Sequence, residues 1–115
     1  MTIERIKVGP RMSQVVIHGD TVYLAGQVAD DPNADVAGQT RQILAKIDRL
    51  LAEAGTDKSK VLSANVWLSD ISTFDQMNAV WDEWVTPGKP PARATVESRL
   101  AGPEFKVEIM VVAAH

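Results

Sequence analysis

The sequence predicts an α+β fold, a mixed β-sheet with two helices packed on one of its faces. Three observations carry that prediction. Short apolar runs of strand character occupy the beginning, the middle and the end of the chain. Two other segments switch to a helical spacing of their apolar residues. The resulting order is strand, strand, strand, helix, strand, helix, strand, strand, with no linker, repeat or low-complexity stretch. A chain of 115 residues is one domain's worth, spanning positions 1–115.

Residues 3–8 alternate loosely and open the sheet. Residues 14–17 and 21–27 flank His18-Gly19-Asp20, a short turn of the hairpin kind. In the second of these strands, alternation puts Val22, Leu24 and Gly26 on one face, and Tyr23 and Ala25 on the other. The polar run 30–35 reads as a loop. Its Asp31-x-Asn33-x-Asp35 spacing imitates a calcium loop, but Val36 and Gln42 stand where that loop needs Gly and Glu. A turn followed by a helix cap explains it better.

The first helix runs from about 36 to 54, where Ile43, Leu44, Ile47, Leu50, Leu51 and Ala54 recur at helical spacing. Asp35 is its N-cap and Gly55 its stop. Residues 61–68 read as a buried strand. Ser72 with Asp75, and Thr73 with Gln76, form overlapping capping-box patterns before the second helix. That helix reaches about 84, carries Phe74, Met77, Val80, Trp81 and Trp84 on one face, and ends before Pro87-Gly88. Strands at 92–97 and 105–113 close the chain. In the last one Phe105, Val107, Ile109, Val111 and Ala113 form one side, and Lys106, Glu108, Met110 and Val112 the other. A sheet face of that half-apolar, half-charged kind suits another subunit better than bulk water.

Composition narrows the function classes. Twelve basic against 15 acidic residues give a net charge of −3, a poor basis for holding a phosphate backbone, so no nucleic-acid partner is expected. No stretch approaches the roughly 20 apolar residues of a membrane span, and the first residues carry charge too early for a secretory signal. The absence of cysteine removes disulfides and thiolate chemistry and fits a cytoplasmic protein. There is no glycine-rich phosphate loop and no Gly-x-Ser-x-Gly elbow. His18 and His115 are the only histidines, so no metal site is expected. Trp67, Trp81 and Trp84 have the ring faces on which bases stack, but two of them lie on the apolar face of a helix, where core packing is the usual role.

The densest chemical signal is Pro91-Ala92-Arg93-Ala94-Thr95-Val96 followed by Val107-Glu108-Ile109, with Glu108 fifteen positions after Arg93. Alternation puts Arg93 and Thr95 on one strand face. A guanidinium presents a flat fork matched to a carboxylate. A glutamate can accept a hydrogen bond from water and direct it at an electrophilic carbon. On these residues alone, surface ion pairing of Arg93, and of Glu108 with Lys106 or Lys58, explains them better than a functional role does.

The same residues, with Gly9-Pro10 leading to Ser13-Gln14, Tyr23-Leu24-Ala25-Gly26-Gln27, Gln39-Thr40 and Asn78, resemble the reactive intermediate deaminase family, also called Rid or YjgF-like. The resemblance covers nearly the whole chain. It implies a fold like the Bacillus chorismate mutase, a homotrimer, and sites in clefts between subunits. It also implies hydrolysis of enamines and imines, such as imino acids, to keto acids and ammonia without a cofactor. In that picture Arg93 binds the substrate carboxylate, Glu108 directs water, and Thr95, Ala25, Gly26 and Arg11 line the substrate. A backbone carbonyl near Arg93 or Gly26 accepts the substrate N–H. The family's strand order places the last strand between the third and fourth, whereas a hairpin of the last two strands is the simpler local reading.

The chain departs from the family's best-known deaminases at several positions. It has Arg11-Met12 where they have a tyrosine, Ala25 for a serine, Thr95 for a cysteine and Met110 for a second glutamate. Arg11 is either a second positive group at the mouth or a solvated loop residue. A module that binds carboxylates without turnover, or acts as a chaperone, is the alternative function. An endoribonuclease ranks third, because the chain is acidic and lacks a histidine pair.

Overall fold

A computed structural model describes residues 1–115. Its strands are β1 (Ile3–Val8), β2 (Ser13–His18), β3 (Thr21–Leu24), β4 (Val61–Leu68), β5 (Ala92–Glu97) and β6 (Val107–Ala114). Its helices are α1 (Val36–Glu53) and α2 (Phe74–Trp84). The strands form one sheet in the order β1-β2-β3-β6-β4-β5. Only β4 and β5 run parallel; every other neighbouring pair is antiparallel. The last strand therefore lies between β3 and β4, as the resemblance implies. The local hairpin of β5 and β6 does not form, because β6 is paired on both sides by other strands. No helix is long and apolar enough to cross a membrane.

Both helices lie on one face of the sheet. The core-facing residues of β6 are Val107, Ile109, Val111 and Ala113, all fully buried. They meet Ile43, Leu44, Ile47, Leu50 and Leu51 of α1 and Met77, Val80, Trp81 and Trp84 of α2 in one apolar cluster. Burial at this density is the main favourable term holding the layers together. On the opposite, uncovered face, Val16, Tyr23 and Val112 form a cross-strand row. Tyr23 and Val96 stay about half exposed there.

Local signals set most element ends. Asp35 Oδ1 accepts from the Gly38 N–H at 2.8 Å, the expected N-cap of α1. Gly55 stands just past that helix with φ 82°, a left-handed conformation that glycine adopts without strain. The capping boxes proposed for α2 are not made: Thr73 gives no side-chain cap. Asp70 takes over, accepting from the Ser72 N–H at 2.9 Å and its hydroxyl at 2.7 Å, and a short 3-10 turn, Ile71–Thr73, precedes the helix. The Asp70 side chain reaches those donors locally, so the chain turns before the helix begins.

Two strand boundaries differ from the sequence reading. β6 begins at Val107 rather than Phe105, because the Lys106 N–H is given to Gln39 Oε1 at 2.9 Å. β3 stops at Leu24. Tyr23 pairs with Val112 and Gln27 bridges Ile109, so β3's side of the ladder holds one more residue than β6's. The extra residue reverses the alternation. Gln27 thus becomes buried where Gly26 was expected, and Gly26 moves to the other face.

Candidate functional site

Arg93 sits on β5, an edge strand, level with Ala64 and, one strand further, Val111. That row faces the helices. Its guanidinium carbon lies 5.0 Å from the Trp81 ring centre and 5.7 Å from that of Phe74, and Nη1 is 3.9 Å from Met77 Sδ. The two ion pairs of the chain are Lys7–Glu53 and Lys46–Asp30, so Arg93 has no carboxylate partner. Burial pushes the guanidinium below its usual basicity, because low-dielectric surroundings disfavour its charge; the field of Asp82 partly restores it.

Thr95 follows on the same face, level with Val66. Its hydroxyl is buried and makes no hydrogen bond to any protein group. A buried hydroxyl without a partner has given up its water contacts for nothing in the isolated chain.

Glu108 is half-buried on β6, level with Trp67 and Val96. This row belongs to the uncovered face. Glu108 forms no ion pair either. The backbone of Gly26 lies directly against it. A Cβ at Gly26 would stand 3.1 Å from Glu108 Cδ and collide with Oε2, so the approach requires the absence of a side chain. The displaced ladder after Leu24 is what brings Gly26 to this face. Ala25 precedes it, with its N–H donating to the Gln14 carbonyl at 2.9 Å.

Arg11 is exposed in the connection from β1 to β2, on a groove shared with Gly9, Pro10 and Met12. The structure thus brings together Glu108, Gly26 and Ala25 near one end of β6, and Arg93 with Thr95 near the edge of the covered face. It does not bring the two groups together within one chain. Two strand spacings and a three-residue offset separate Arg93 from Glu108 by roughly 14 Å between Cα atoms, on opposite faces. No concavity of the single chain is lined by either residue.

The sequence reading missed the surroundings of Arg93. Phe74, Met77 and Trp81 were legible as an apolar helix face, but spacing alone does not distinguish a core stripe from a wall for a cation.

A small α+β protein is defined by this geometry: a mixed sheet, helices on one face only, and Arg93 and Glu108, neither in an ion pair, on opposite faces. The family profile described as Endoribonuclease L-PSP matches residues 2–115, and the chain belongs to this family, whose members also go by the names RutC, YjgF and Rid. A RutC family protein of Haemophilus influenzae is 47% identical over 116 residues, covering 98% of both chains. The RutC family protein YoaB of Escherichia coli is 46% identical, covering 99% of both. Among solved structures, an uncharacterized protein from Pseudomonas aeruginosa superposes with a TM-score of 0.97 at 46% identity, with 99% of each chain covered. A member of the YjgF protein family from Neisseria meningitidis gives 0.97 at 45% identity, covering 99% of this chain and 95% of its own.

Proposed function

We propose that this protein hydrolyses imino acids, and the enamines that tautomerise to them, to keto acids and ammonia. The observation that carries this reading is the pair of unpaired charges: Arg93 in an aromatic surround at a sheet edge, and Glu108 against the bare backbone of Gly26. The substrate carboxylate takes the planar fork of Arg93. Glu108 accepts a hydrogen bond from water and aims the oxygen at the imine carbon. As that C–O bond forms, the C=N electron pair moves to nitrogen, which gains a proton. The remaining proton of the water passes through Glu108 to the amine, the C–N bond breaks, and keto acid and ammonia leave. Little else is asked of the protein than binding and orientation.

Because the two residues face opposite sides, the working pair is Arg93 of one chain and Glu108 of the partner subunit. A homotrimer, the assembly implied by the resemblance, closes three such clefts. The half-apolar uncovered face supports an assembly of this kind. Arg11, Ala25 and Thr95 complete the lining in this reading.

The test is loss of imines generated in place by an amino-acid oxidase. Protein at micromolar concentration is expected to accelerate hydrolysis above the spontaneous rate. A folded oligomer that binds pyruvate but leaves that rate unchanged would establish a carboxylate-binding module instead.

A further inference from the structure

We propose that Phe74, Met77 and Trp81 are positioning residues for Arg93: one stripe of α2 holds the guanidinium as a pre-formed carboxylate receptor. The proposal rests on the reading of Arg93 as the carboxylate's partner. The three residues follow at intervals of three and four, so they lie on one side of the helix. All three contact the same guanidinium, at 5.7 Å, 3.9 Å and 5.0 Å in that order. Ring faces attract a cation electrostatically, and a thioether sulfur is polarisable enough to lie beside one. None of the three neutralises the charge.

The walls are anchored while their guest is not. Met77 is fully buried and Trp81 nearly so, both inside the helix–sheet core. Arg93 reaches them from an edge strand, with no ion pair to hold it elsewhere. A long arginine on a sheet edge ordinarily samples many rotamers, and the carboxylate it binds must bear the cost of ordering it. Here the rings and the thioether have already removed that freedom. Their apolar surface also lowers the local dielectric, which strengthens the attraction for an arriving carboxylate. A lysine would lose on both counts, having neither the flat group that rings accommodate nor the bidentate fork. Asp82 is the one charged neighbour whose field acts on the guanidinium.

Pyruvate serves as the probe, with binding measured by calorimetry and turnover measured on oxidase-generated imines. Phe74→Leu, at a half-buried position, is expected to keep its melting temperature and assembly while weakening pyruvate binding roughly threefold to tenfold. KM rises in parallel and kcat stays within about twofold, the signature of lost uniform binding. Phe74→Tyr restores affinity. In addition, in a Trp67→Phe background, since Trp67 stands level with Glu108, pyruvate is expected to change tryptophan emission; the change survives Trp84→Phe and disappears in Trp81→Phe and in Arg93→Ala. Wild-type affinity in both Phe74→Leu and Trp81→Phe would overturn the positioning role and leave the carboxylate reading intact. Pyruvate binding that persists in Arg93→Ala would overturn both.

Discussion

Arg93 and Glu108 stand on opposite faces of the same sheet, Arg93 level with Ala64 and Val111 beneath α2, Glu108 level with Trp67 and Val96 on the uncovered side. A rotamer change cannot carry a side chain through a hydrogen-bonded sheet. Chemistry that needs both groups at one substrate therefore needs two copies of the chain.

The first consequence is complementation. If the proposed trimer forms, Arg93→Ala and Glu108→Ala are each expected to be inactive in it. Refolded together at equal concentration, one in four interfaces pairs an intact arginine with an intact glutamate, so about a quarter of wild-type activity returns. Native mass spectrometry, which resolves the mass difference between the two variant chains, identifies the mixed assemblies. Mixed trimers as dead as their parents would place the site within one subunit.

Glu108→Gln separates turnover from binding. The amide keeps the shape of the side chain but loses the charge that orients and deprotonates water. A fall in kcat of about 10²–10⁴-fold is expected, with pyruvate affinity nearly unchanged. Unaltered kcat would remove Glu108 from the mechanism.

Gly26→Ala tests the close approach. The added methyl collides with the Glu108 carboxylate, so either the carboxylate rotates away or the backbone retreats. Turnover is expected to fall at least tenfold with a loss of stability of only about 1 kcal/mol, since the site lies outside the core. A crystal structure of the variant with both Glu108 and the backbone at position 26 unmoved would contradict this account.

Gln39 gives the stability prediction. This fully buried amide donates to the carbonyls of Pro32, Ala34 and Glu104, each at 3.1 Å, and accepts from the Lys106 N–H at 2.9 Å. It joins the loop before α1 to the segment leading into β6. Gln39→Leu strands the Pro32 and Glu104 carbonyls and the Lys106 N–H, while the Ala34 carbonyl keeps the Lys106 ammonium at 3.0 Å, and it is expected to cost about 2–4 kcal/mol, read from urea unfolding at fixed protein concentration. A loss below 0.5 kcal/mol, on the order of a surface change, would show the network to be dispensable.

Asp70 supplies a pH test. Its hydrogen bonds from the Ser72 hydroxyl and N–H hold the carboxyl below the ordinary aspartate value. A depressed carboxyl contributes stability above its unfolded pKa and loses it as pH falls through the folded one, so this contribution begins to fall near pH 3.8 and is gone only below the lower, folded pKa. An NMR titration is expected to place the Asp70 midpoint under 3.8, moving upward in Ser72→Ala. A midpoint unaffected by that substitution would assign the depression to another cause.

What the sequence by itself determined was local. Alternation marked the strands, the apolar repeat in 43–54 marked α1, and Asp35 and Gly55 marked its ends, because each signal acts through neighbours in the chain. The residues Arg93 and Glu108 stood out for the same reason, as charges with a matching chemistry in short motifs. The resemblance added the strand order. Tertiary structure alone decided the rest. One extra residue after Leu24 turned Gly26 toward Glu108, against the alternation of its own strand. Gln39 drew Lys106 out of the last strand. Packing of α2 against an edge strand made an apolar stripe into a wall for a guanidinium. Insertion of β6 between β3 and β4 then separated the two charges by a full sheet. Each of these depends on contacts distant along the chain, whose register no local period encodes.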